Sequence, residues 1–442
     1  MTYPEALAFW YARINYEVRA AAPADLKLER MRALLRRVGD PHDRVRLVHV
    51  TGTKGKGSTA AMIAAIGRAA GHRVGLFTSP HLTDVRERIQ VDGAPITEAE
   101  LAARMAELAP AVAAMDVDGF APPTFFEIGT ALGFLHFAYR RCDLAVIEVG
   151  LGGRFDSTNV CHPLVSVITT VGLDHTAQLG NTLEEIAYQK AGIIKPGVPV
   201  VLGRIGESAG RVIEDRASAV GAPVFRLERD FRCEGSSPAD CRYTGLALRT
   251  EHLGCPLQGR FQLDNLACSL ALIELAGQRG LSVPESAISA GLQQVAWAGR
   301  LEVVGEAPTV IVDGAHNPAA ATVLAEYLAE WRRTRPAARI TLIVGMMRDK
   351  HPREFLAPLL PLVDSLIFTQ ADLPRAASGS ELRALLGEAA SSAQVAPTPA
   401  DALALARRSA AASDLICVTG SLMLVGDIKA LLRGCSLSPV RG

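Results

Sequence analysis

The stretch that decides the fold is VRLVHV (Val45–Val50), followed by TGTKGKGST (Thr51–Thr59) and then AAMIAAI (Ala60–Ile66). A short run with strand character leads into a glycine-rich turn, and the turn opens an apolar helix. Glycines allow backbone N–H groups to face an anion, and the N-terminus of a helix favours negative charge. This layout predicts a phosphate-binding loop.

The predicted loop, Gly52–Ser58, departs from the common pattern G-x-x-x-x-G-K-[ST], because Gly57 separates Lys56 from Ser58. An ordinary glycine-rich turn is therefore the alternative interpretation. We expect Lys56 to offset the charge of the terminal phosphates, and the hydroxyl of Ser58 or of the next residue to bond phosphate or a metal ion. A second cation, Lys54, either contacts phosphate or faces solvent.

Around this loop, short apolar runs alternate with longer helical patterns. Runs that are apolar on both faces are typical of strands in a covered parallel sheet, so we predict a doubly wound α/β domain. Arg46 and His49 interrupt the apolar run of the first predicted strand. The predicted strands are Val45–Val50, Val74–Phe77, Leu144–Val149, Val165–Thr169 and Val198–Leu202. The predicted helices are Ser58–Ala70, Glu98–Ala109, Phe126–Arg141 and Leu183–Ala191.

A second cycle of alternation begins after Trp297. It predicts a smaller Rossmann-like α/β domain and a boundary near Ala296–Gly299, which divides the chain into residues 1–296 and 297–442. Short apolar alternation in Arg229–Gly259 predicts a small β insert that closes the first domain. The predicted strands of the second domain are Val310–Val312, Ile340–Val344, Leu366–Phe368 and Leu415–Val418. Its predicted helices are Pro318–Arg333, Ser380–Ala390, Asp401–Ala412 and Leu422–Leu432.

The composition excludes several classes of function. The 442 residues include 46 Lys plus Arg and 46 Asp plus Glu, without the basic excess of proteins that bind nucleic acids or membrane surfaces. No apolar run approaches the ~18 residues of a membrane-spanning helix, and the N-terminus does not resemble a secretion signal. The eight cysteines form no C-x-x-C pair, which is typical of thiols in a reducing compartment. We expect a cytoplasmic protein.

Polar residues stand where predicted strands end: Ser79, Glu148 and His175. Ligands of open α/β sheets bind beyond the carboxyl ends of the strands, so these side chains are expected near the phosphate loop. A carboxylate on a buried strand is costly unless it is paired, so Glu148 indicates a Mg²⁺ ligand, or else a salt bridge to Arg154. His175 is either a ligand or a core histidine, and the neighbouring Asp174 is an equally plausible ligand.

A second strand end carries DGAHNP (Asp313–Pro318) ahead of a helix. Pro318 suits a first helical turn and Asn317 would cap the helix, which leaves Asp313 and His316 facing the strand-end crevice. An acid in this place bonds a ribose hydroxyl in other nucleotide sites. Such a site between two domains would close on its substrate. By contrast, the pattern around Lys190 predicts only a lysine on a helix surface.

Six segments in this order carry a resemblance to a known family. They are Thr51–Ser58, Ser79–His81, Glu148–Asn159, Leu173–Thr176, Gln189–Ile193 and Asp313–Pro318. From about Asp25 to Gly426, the chain resembles folylpolyglutamate synthases and dihydrofolate synthases of the Mur ligase superfamily. The resemblance implies ATP, L-glutamate and a reduced folate or dihydropteroate as substrates of a monomeric ligase. ATP would convert the pterin substrate's carboxylate into an acyl phosphate, which the amine of glutamate attacks.

The resemblance also implies a role for each matching position. Lys190 matches a lysine that family members carbamylate, which would help to bind the second of two Mg²⁺ ions. The implied catalytic residues are Lys56, Lys190 and His316. The implied ATP-binding residues are Gly52, Thr53, Lys54, Gly55, Lys56, Gly57, Ser58, Asn265, Arg300 and Asp313. The implied Mg²⁺ ligands are Ser79, Glu148, His175 and Lys190. The implied substrate-binding residues are Asp25, Leu26, Arg88, Thr124, Phe125, Phe126, Glu127, Phe155, Asp156, Ser157 and Ser421.

Two departures from the family pattern matter. Lys54 stands where the family loop usually has asparagine, and the segment around Asp25 matches the dihydropteroate-binding segment imperfectly. Two other functions stay open: a Mur-type ligase of peptidoglycan precursors, and a nucleotide-dependent switch without ligase chemistry. Gly57 and the segment Glu148–Asn159 argue against the first of these, and the set of Glu148, His175 and Lys190 argues against the second.

Overall fold

The structure is a computed structural model that describes residues 1–16 and 27–439. It contains an eight-stranded sheet, a three-stranded antiparallel sheet and a six-stranded sheet. The strands are β1 Leu47–Thr51, β2 Val74–Phe77, β3 Ile89–Val91, β4 Ala94–Pro95, β5 Leu144–Glu148, β6 Ser166–Thr170, β7 Val200–Arg204, β8 Val224–Arg226, β9 Arg232–Ser237, β10 Asp240–Thr244, β11 Arg249–Leu253, β12 Glu302–Glu306, β13 Thr309–Val312, β14 Ile340–Val344, β15 Ser365–Phe368, β16 Gln394–Val395 and β17 Leu415–Thr419.

Helices cover the sheets and connect their strands. They are α1 Tyr3–Tyr11, α2 Glu29–Arg37, α3 Lys56–Ala69, α4 Glu98–Val117, α5 Phe125–Tyr139, α6 Thr176–Leu179, α7 Leu183–Lys190, α8 Glu207–Ala219, α9 Gln262–Gln278, α10 Glu285–Gln293, α11 Pro318–Thr334, α12 Pro352–Leu356, α13 Gly379–Leu386, α14 Pro399–Ser409 and α15 Leu422–Arg433. None of the helices in the described ranges is both long and apolar enough to cross a membrane.

The eight-stranded sheet, called here the first sheet, has the order β4-β3-β2-β5-β1-β6-β7-β8. The six strands β2, β5, β1, β6, β7 and β8 run parallel to one another. Helix α3 packs between this sheet and helices α9 and α10 within one apolar core. The approach of α10 to α3 is so close that a Cβ atom on Gly291 would lie 2.6 Å from Cα of Ile66. The six-stranded sheet, called here the second sheet, has the order β12-β13-β17-β14-β15-β16, and β12 is its one antiparallel strand.

The predicted α/β alternation and the small β insert are confirmed, and His49, which interrupts the apolar run of the first predicted strand, lies within β1. It is fully buried in β1, and its Nε2 lies 2.8 Å from Oγ1 of Thr158. Burial lowers the pKa of His49 to about 3, which keeps the imidazole neutral. A hydrogen-bonded neutral histidine therefore occupies a buried position in this strand without an unsatisfied polar group.

Candidate active site

The predicted ligand positions lie beyond four neighbouring strand ends. In the order β2-β5-β1-β6, Phe77 pairs with Ile147, Val50 pairs with Glu148, and Thr51 pairs with Ile168. Because these strands are parallel, the segments that follow them leave the sheet at the same edge. Ser79, Glu148, the glycine-rich loop and His175 therefore all stand at this edge, close to where the strand order reverses, which is where open α/β sheets bind ligands.

The glycine-rich loop is held by the segment after β6. The backbone N–H of Thr53 donates to the carbonyl oxygen of Thr170 at 2.9 Å, and the N–H of Lys54 donates to Oγ1 of Thr170 at 2.9 Å. The N–H of Gly172 in turn donates to Oγ1 of Thr53 at 3.0 Å. These bonds fix the turn that precedes helix α3.

Two positions of the loop require glycine, each for a different physical reason. Gly55 has φ of +86°, and a Cβ atom there would clash with the amide of Asn265. A Cβ atom on Gly57 would lie 2.8 Å from Cε2 and Nε1 of Trp297. The extra glycine of the loop therefore admits the indole of Trp297, which follows helix α10.

Lys56 and Ser58 lie in the first turn of α3. Nζ of Lys56 donates to the carbonyl oxygen of Gly52 at 3.1 Å, so this lysine turns back across the loop. Oγ of Ser58 accepts a hydrogen bond of 3.2 Å from Nε2 of Gln262, and Oε1 of Gln262 accepts one of 2.8 Å from Asn265. Helix α9 thus contacts the loop through Gln262, and Asn265 of the same helix holds the Gln262 amide in place.

Glu148 is a buried carboxylate, 4 % exposed, at the end of β5. Its Oε2 accepts a hydrogen bond of 3.3 Å from the backbone N–H of Ser79. Burial raises the pKa of Glu148 to about 6, although Lys56 and Arg300 oppose the shift. Within the described residues Arg154 makes no ion pair, and its guanidinium lies 4.5 Å from the ring centre of Tyr188. The alternative of a salt bridge between Arg154 and Glu148 is therefore wrong, and the carboxylate fits a cation.

His175 is not a core histidine. Its side chain is 54 % exposed and its φ is +50°. The carboxylate of the neighbouring Asp174 already has protein partners, since its Oδ2 accepts hydrogen bonds from Nζ of Lys54 at 3.0 Å and from Nδ2 of Asn317 at 3.1 Å. The sequence left both residues open as metal ligands, and the geometry leaves His175 as the more accessible of the two.

Lys190 contradicts the prediction of a helix-surface lysine, because it is only 3 % exposed at the end of α7. Burial lowers its pKa to about 7, with a further contribution from the charge of Lys56. Its Nζ makes no hydrogen bond or ion pair with any part of the chain that the structure describes. A buried amine with a pKa near neutrality is a nucleophile at physiological pH, and the loop lysines are near enough for their charges to lower its pKa.

These residues do not form a metal site by their carboxylates and imidazoles alone. Among residues 1–16 and 27–439, no three His, Cys, Asp or Glu side chains gather into a metal-binding cluster. Glu148 and His175 would need Ser79, a modified Lys190, phosphate oxygens or water to complete a coordination shell. Oxygen ligands of this kind are the ones that Mg²⁺ prefers.

The second loop lies at the carboxyl end of β13. Oδ2 and Oδ1 of Asp313 accept hydrogen bonds of 2.9 Å from the N–H groups of Leu301 and Ala315, so this buried acid orders the turn that carries Arg300. Burial raises the pKa of Asp313, against the opposing charge of Arg300. A ribose would therefore share the carboxylate with two backbone donors.

His316 and Asn317 occupy the same loop. Nδ1 of His316 donates to the carbonyl oxygen of Gly314 at 2.8 Å, which leaves the lone pair on Nε2. Burial lowers the pKa of His316 to about 3, so the ring is neutral and can accept a hydrogen bond. The predicted cap is confirmed, because Oδ1 of Asn317 accepts from the N–H of Ala320 at 3.0 Å. Ser421 caps α15 in the same way, through the N–H of Leu424.

Several positions assigned to the pterin substrate serve local structure. Thr124 and Glu127 form the capping box of α5, and Glu127 also pairs with Nε of Arg30 at 2.7 Å. Phe125 is buried against Trp10, with ring centres 5.1 Å apart. These contacts hold α5 in place, so a substrate can reach only the outer faces of this segment.

The neighbouring segments are more open. Phe155 is 41 % exposed, and Phe126 is half-buried over Gly150. Asp156 accepts hydrogen bonds from the N–H groups of Leu151 and Thr158 and so closes its own loop. Two other predicted substrate-binding residues also make local hydrogen bonds. Oγ of Ser157 lies 2.6 Å from Oγ1 of Thr130, and Nε of Arg88 donates to Nδ1 of His81 at 2.9 Å. Asp25 and Leu26 lie outside the described residues.

Three residues at this site were not found by sequence reasoning. Gln262 bonds the loop hydroxyl, Trp297 packs on Gly57, and the positive charge of Lys350 lowers the pKa of His316. No motif marks the first two, because both act through packing between helices that are distant in sequence. Lys350 lies on the segment after β14, so its position beyond a strand end could have identified it from the sequence.

Comparisons with known proteins agree with this geometry. Residues 50–216 match the family model of the Mur ligase middle domain, and residues 299–422 match that of the Mur ligase glutamate ligase domain. The chain is 36 % identical to the dihydrofolate synthase/folylpolyglutamate synthase of Bacillus subtilis, over 98 % of this chain and 99 % of that protein. It is 33 % identical to the Escherichia coli protein of the same name, over 92 % of both.

Solved structures give the same result. Folylpolyglutamate synthase of Mycobacterium tuberculosis complexed with ADP is similar with a TM-score of 0.87 and 31 % identity, over 99 % of this chain and 100 % of that one. E. coli FolC in complex with DHPP and ADP is similar with a TM-score of 0.86 and 30 % identity, over 98 % of both chains. The chain therefore belongs to the dihydrofolate synthase/folylpolyglutamate synthase family of Mur ligases.

Proposed function

We propose that this protein is an ATP-dependent, ADP-forming ligase that adds L-glutamate to a reduced folate, and that it also converts dihydropteroate to dihydrofolate. Full-length relatives that carry both names support the two activities, as does the E. coli relative with DHPP and ADP bound. The observation that carries the proposal is the position of the glycine-rich loop beside the buried Glu148, across from the loop of His316.

The reaction forms an amide from a carboxylate and an amine. A carboxylate oxygen of the pterin substrate attacks the γ-phosphorus of ATP, and ADP leaves with the electrons of the broken bond. The amine of glutamate then attacks the acyl carbon, and phosphate leaves. Lys56 stabilises charge on the transferring phosphoryl group, because it turns across the loop that would hold it. Nε2 of His316, neutral and with a free lone pair, can accept a hydrogen bond from the amine and so orient it for attack.

Bound Mg²⁺ would supply charge neutralisation on the phosphate oxygens. Ser79, Glu148 and His175 are the proposed ligands, and burial of the Glu148 carboxylate supports its part. We propose that Lys190 is carbamylated, which would turn it into a carboxylate-like ligand of a second ion. Support for this comes from its burial, from the absence of a partner among the described residues and from a pKa of about 7.

The division of the chain into residues 1–296 and 297–442 is a proposal of the same kind. It is supported by the second sheet, which begins at Glu302, and by the glutamate ligase domain match, which begins at residue 299. A monomeric state and a cytoplasmic location also stay predictions. The eight cysteines, which are all unpaired, agree with a reducing compartment.

The test is a phosphate-release assay with ATP, Mg²⁺ and L-glutamate, to which tetrahydrofolate or dihydropteroate is added separately. We expect each pterin to stimulate release, with a glutamylated product. A peptidoglycan-precursor ligase would instead respond to a nucleotide-linked sugar acid, and a nucleotide switch would respond to neither. A preparation that neither pterin stimulates would refute the proposed function.

A further inference from the structure

The two lysines of the glycine-rich loop face different neighbours. Nζ of Lys56 lies 3.1 Å from the carbonyl oxygen of Gly52, inside the turn. Nζ of Lys54 lies 3.0 Å from Oδ2 of Asp174, on the segment that follows β6. Only the first of these lysines is placed over the loop itself.

The direction of the Lys54 side chain follows from its fixed backbone. The N–H of Lys54 donates to Oγ1 of Thr170 at 2.9 Å, and its carbonyl oxygen accepts hydrogen bonds from Oγ1 of Thr169 and of Thr170. Asp174, at 14 % side-chain exposure, is the more buried member of the ion pair. Losing the cation would therefore leave a largely buried carboxylate short of one partner.

The same carboxylate oxygen reaches the second sheet's first helix. Nδ2 of Asn317 donates to Oδ2 of Asp174 at 3.1 Å, while Oδ1 of Asn317 caps α11. Capping fixes which end of the amide faces the helix, so the donor end must face Asp174. One oxygen thus joins the phosphate loop to the loop that carries His316.

We propose that Lys54, Asp174 and Asn317 form a latch between the two sheets, in which Asp174 is a positioning residue. This inference rests on the proposed function. The latch sets the position of His316 relative to Lys56, and hence the position of the group that orients the attacking amine relative to the phosphoryl-transfer site. Breaking it lowers the rate of turnover and leaves the affinity for nucleotide nearly unchanged, since Lys56 and the loop backbone stay in place.

Two other roles give different results. If Lys54 bound phosphate directly, its loss would weaken nucleotide binding, and the loss of Asn317 would not. If Asp174 were a metal ligand, its loss alone would raise the Mg²⁺ concentration that turnover needs. The latch predicts that all three residues share one phenotype.

The experiment compares Lys54→Met, Asp174→Asn and Asn317→Ser, in which serine keeps the helix cap. Lys54→Arg, which keeps the cation, is the matched control. The readouts are amide hydrogen exchange of residues 313–321, the Kd of ADP, and kcat with its Mg²⁺ dependence. We expect each of the three variants to speed exchange and to lower kcat by about tenfold, with the Kd of ADP changed by less than about threefold.

The double variant Lys54→Met with Asn317→Ser should be no more impaired than the worse single variant, because both break one latch. Multiplying effects would overturn the latch, as would a tenfold weaker ADP affinity in Lys54→Met alone or a Mg²⁺ shift in Asp174→Asn alone. Hydrogen exchange needs no turnover. If exchange responds while wild-type protein lacks pterin-dependent activity, the latch stands and the proposed function fails.

Discussion

Replacing Gly57 with alanine should destabilise the protein through Trp297. The new methyl group would overlap Cζ2 of the indole and lie 2.8 Å from its Cε2 and Nε1. An ordinary contact is about 3.5 Å, so the indole must retreat by roughly 1 Å. The overlap with Cζ2 puts the cost of overpacking in the upper part of its usual range, at about 2–3 kcal/mol, and alanine in a helix returns about 0.5–1 kcal/mol. We therefore expect the free energy of unfolding to fall by about 1–2 kcal/mol.

Urea unfolding measures this change against two controls. Gly277→Ala lies in α9 with no atom within 4 Å of the new methyl group, so it should be neutral or stabilising. In a Trp297→Ala background, Gly57→Ala should no longer be destabilising, because its steric partner is gone. An unchanged cost in that background, or a Gly57→Ala variant as stable as wild type, would refute the packing between Gly57 and Trp297.

Three further predictions concern chemistry and pH. Lys190→Ala should lose at least about a hundredfold in kcat and be partly rescued by acetate, which supplies a carboxylate in place of the carbamate; wild-type activity in this variant would exclude an essential carbamate. Lys56→Ala should abolish pterin-dependent phosphate release, and near-normal release would show that the phosphate site lies elsewhere. The pKa of His49 is about 3 when folded and 6.5 when unfolded, so its contribution is unfavourable only below about pH 6.5 and grows as pH falls toward 3. His49→Gln should therefore flatten the acid loss of stability by up to about 1.4 kcal/mol per pH unit, and parallel pH curves for the two proteins would contradict this.

Much of the fold was predictable, because buried parallel strands are apolar and their helices are amphipathic. The ranges Val74–Phe77 and Ile340–Val344 coincide with observed strands. The pattern did not explain why a polar residue such as His49 is buried in a strand, because periodicity does not record a hydrogen bond made by a distant residue. It also did not predict the strands β3, β4 and β8, which are only two or three residues long.

The candidate site was predictable only in part. Strand ends identified Glu148 and His175, since the topology of parallel sheets brings such residues to one edge. Lys190 could not be found from its spacing, because its burial depends on how α7 packs. The pairing of Lys54 with Asp174 and Asn317 depends on how two sheets meet, which no local pattern encodes.

We propose that this protein joins glutamate to a pterin carboxylate through an acyl phosphate. The most direct test of this claim uses a reduced folate labelled with heavy oxygen in the side-chain carboxylate, incubated with ATP, Mg²⁺ and L-glutamate. Mass analysis of the released phosphate should find one heavy oxygen per amide bond formed, because the attacking carboxylate oxygen leaves with the phosphoryl group. Unlabelled phosphate, or ADP release that does not depend on the pterin, would contradict the claim.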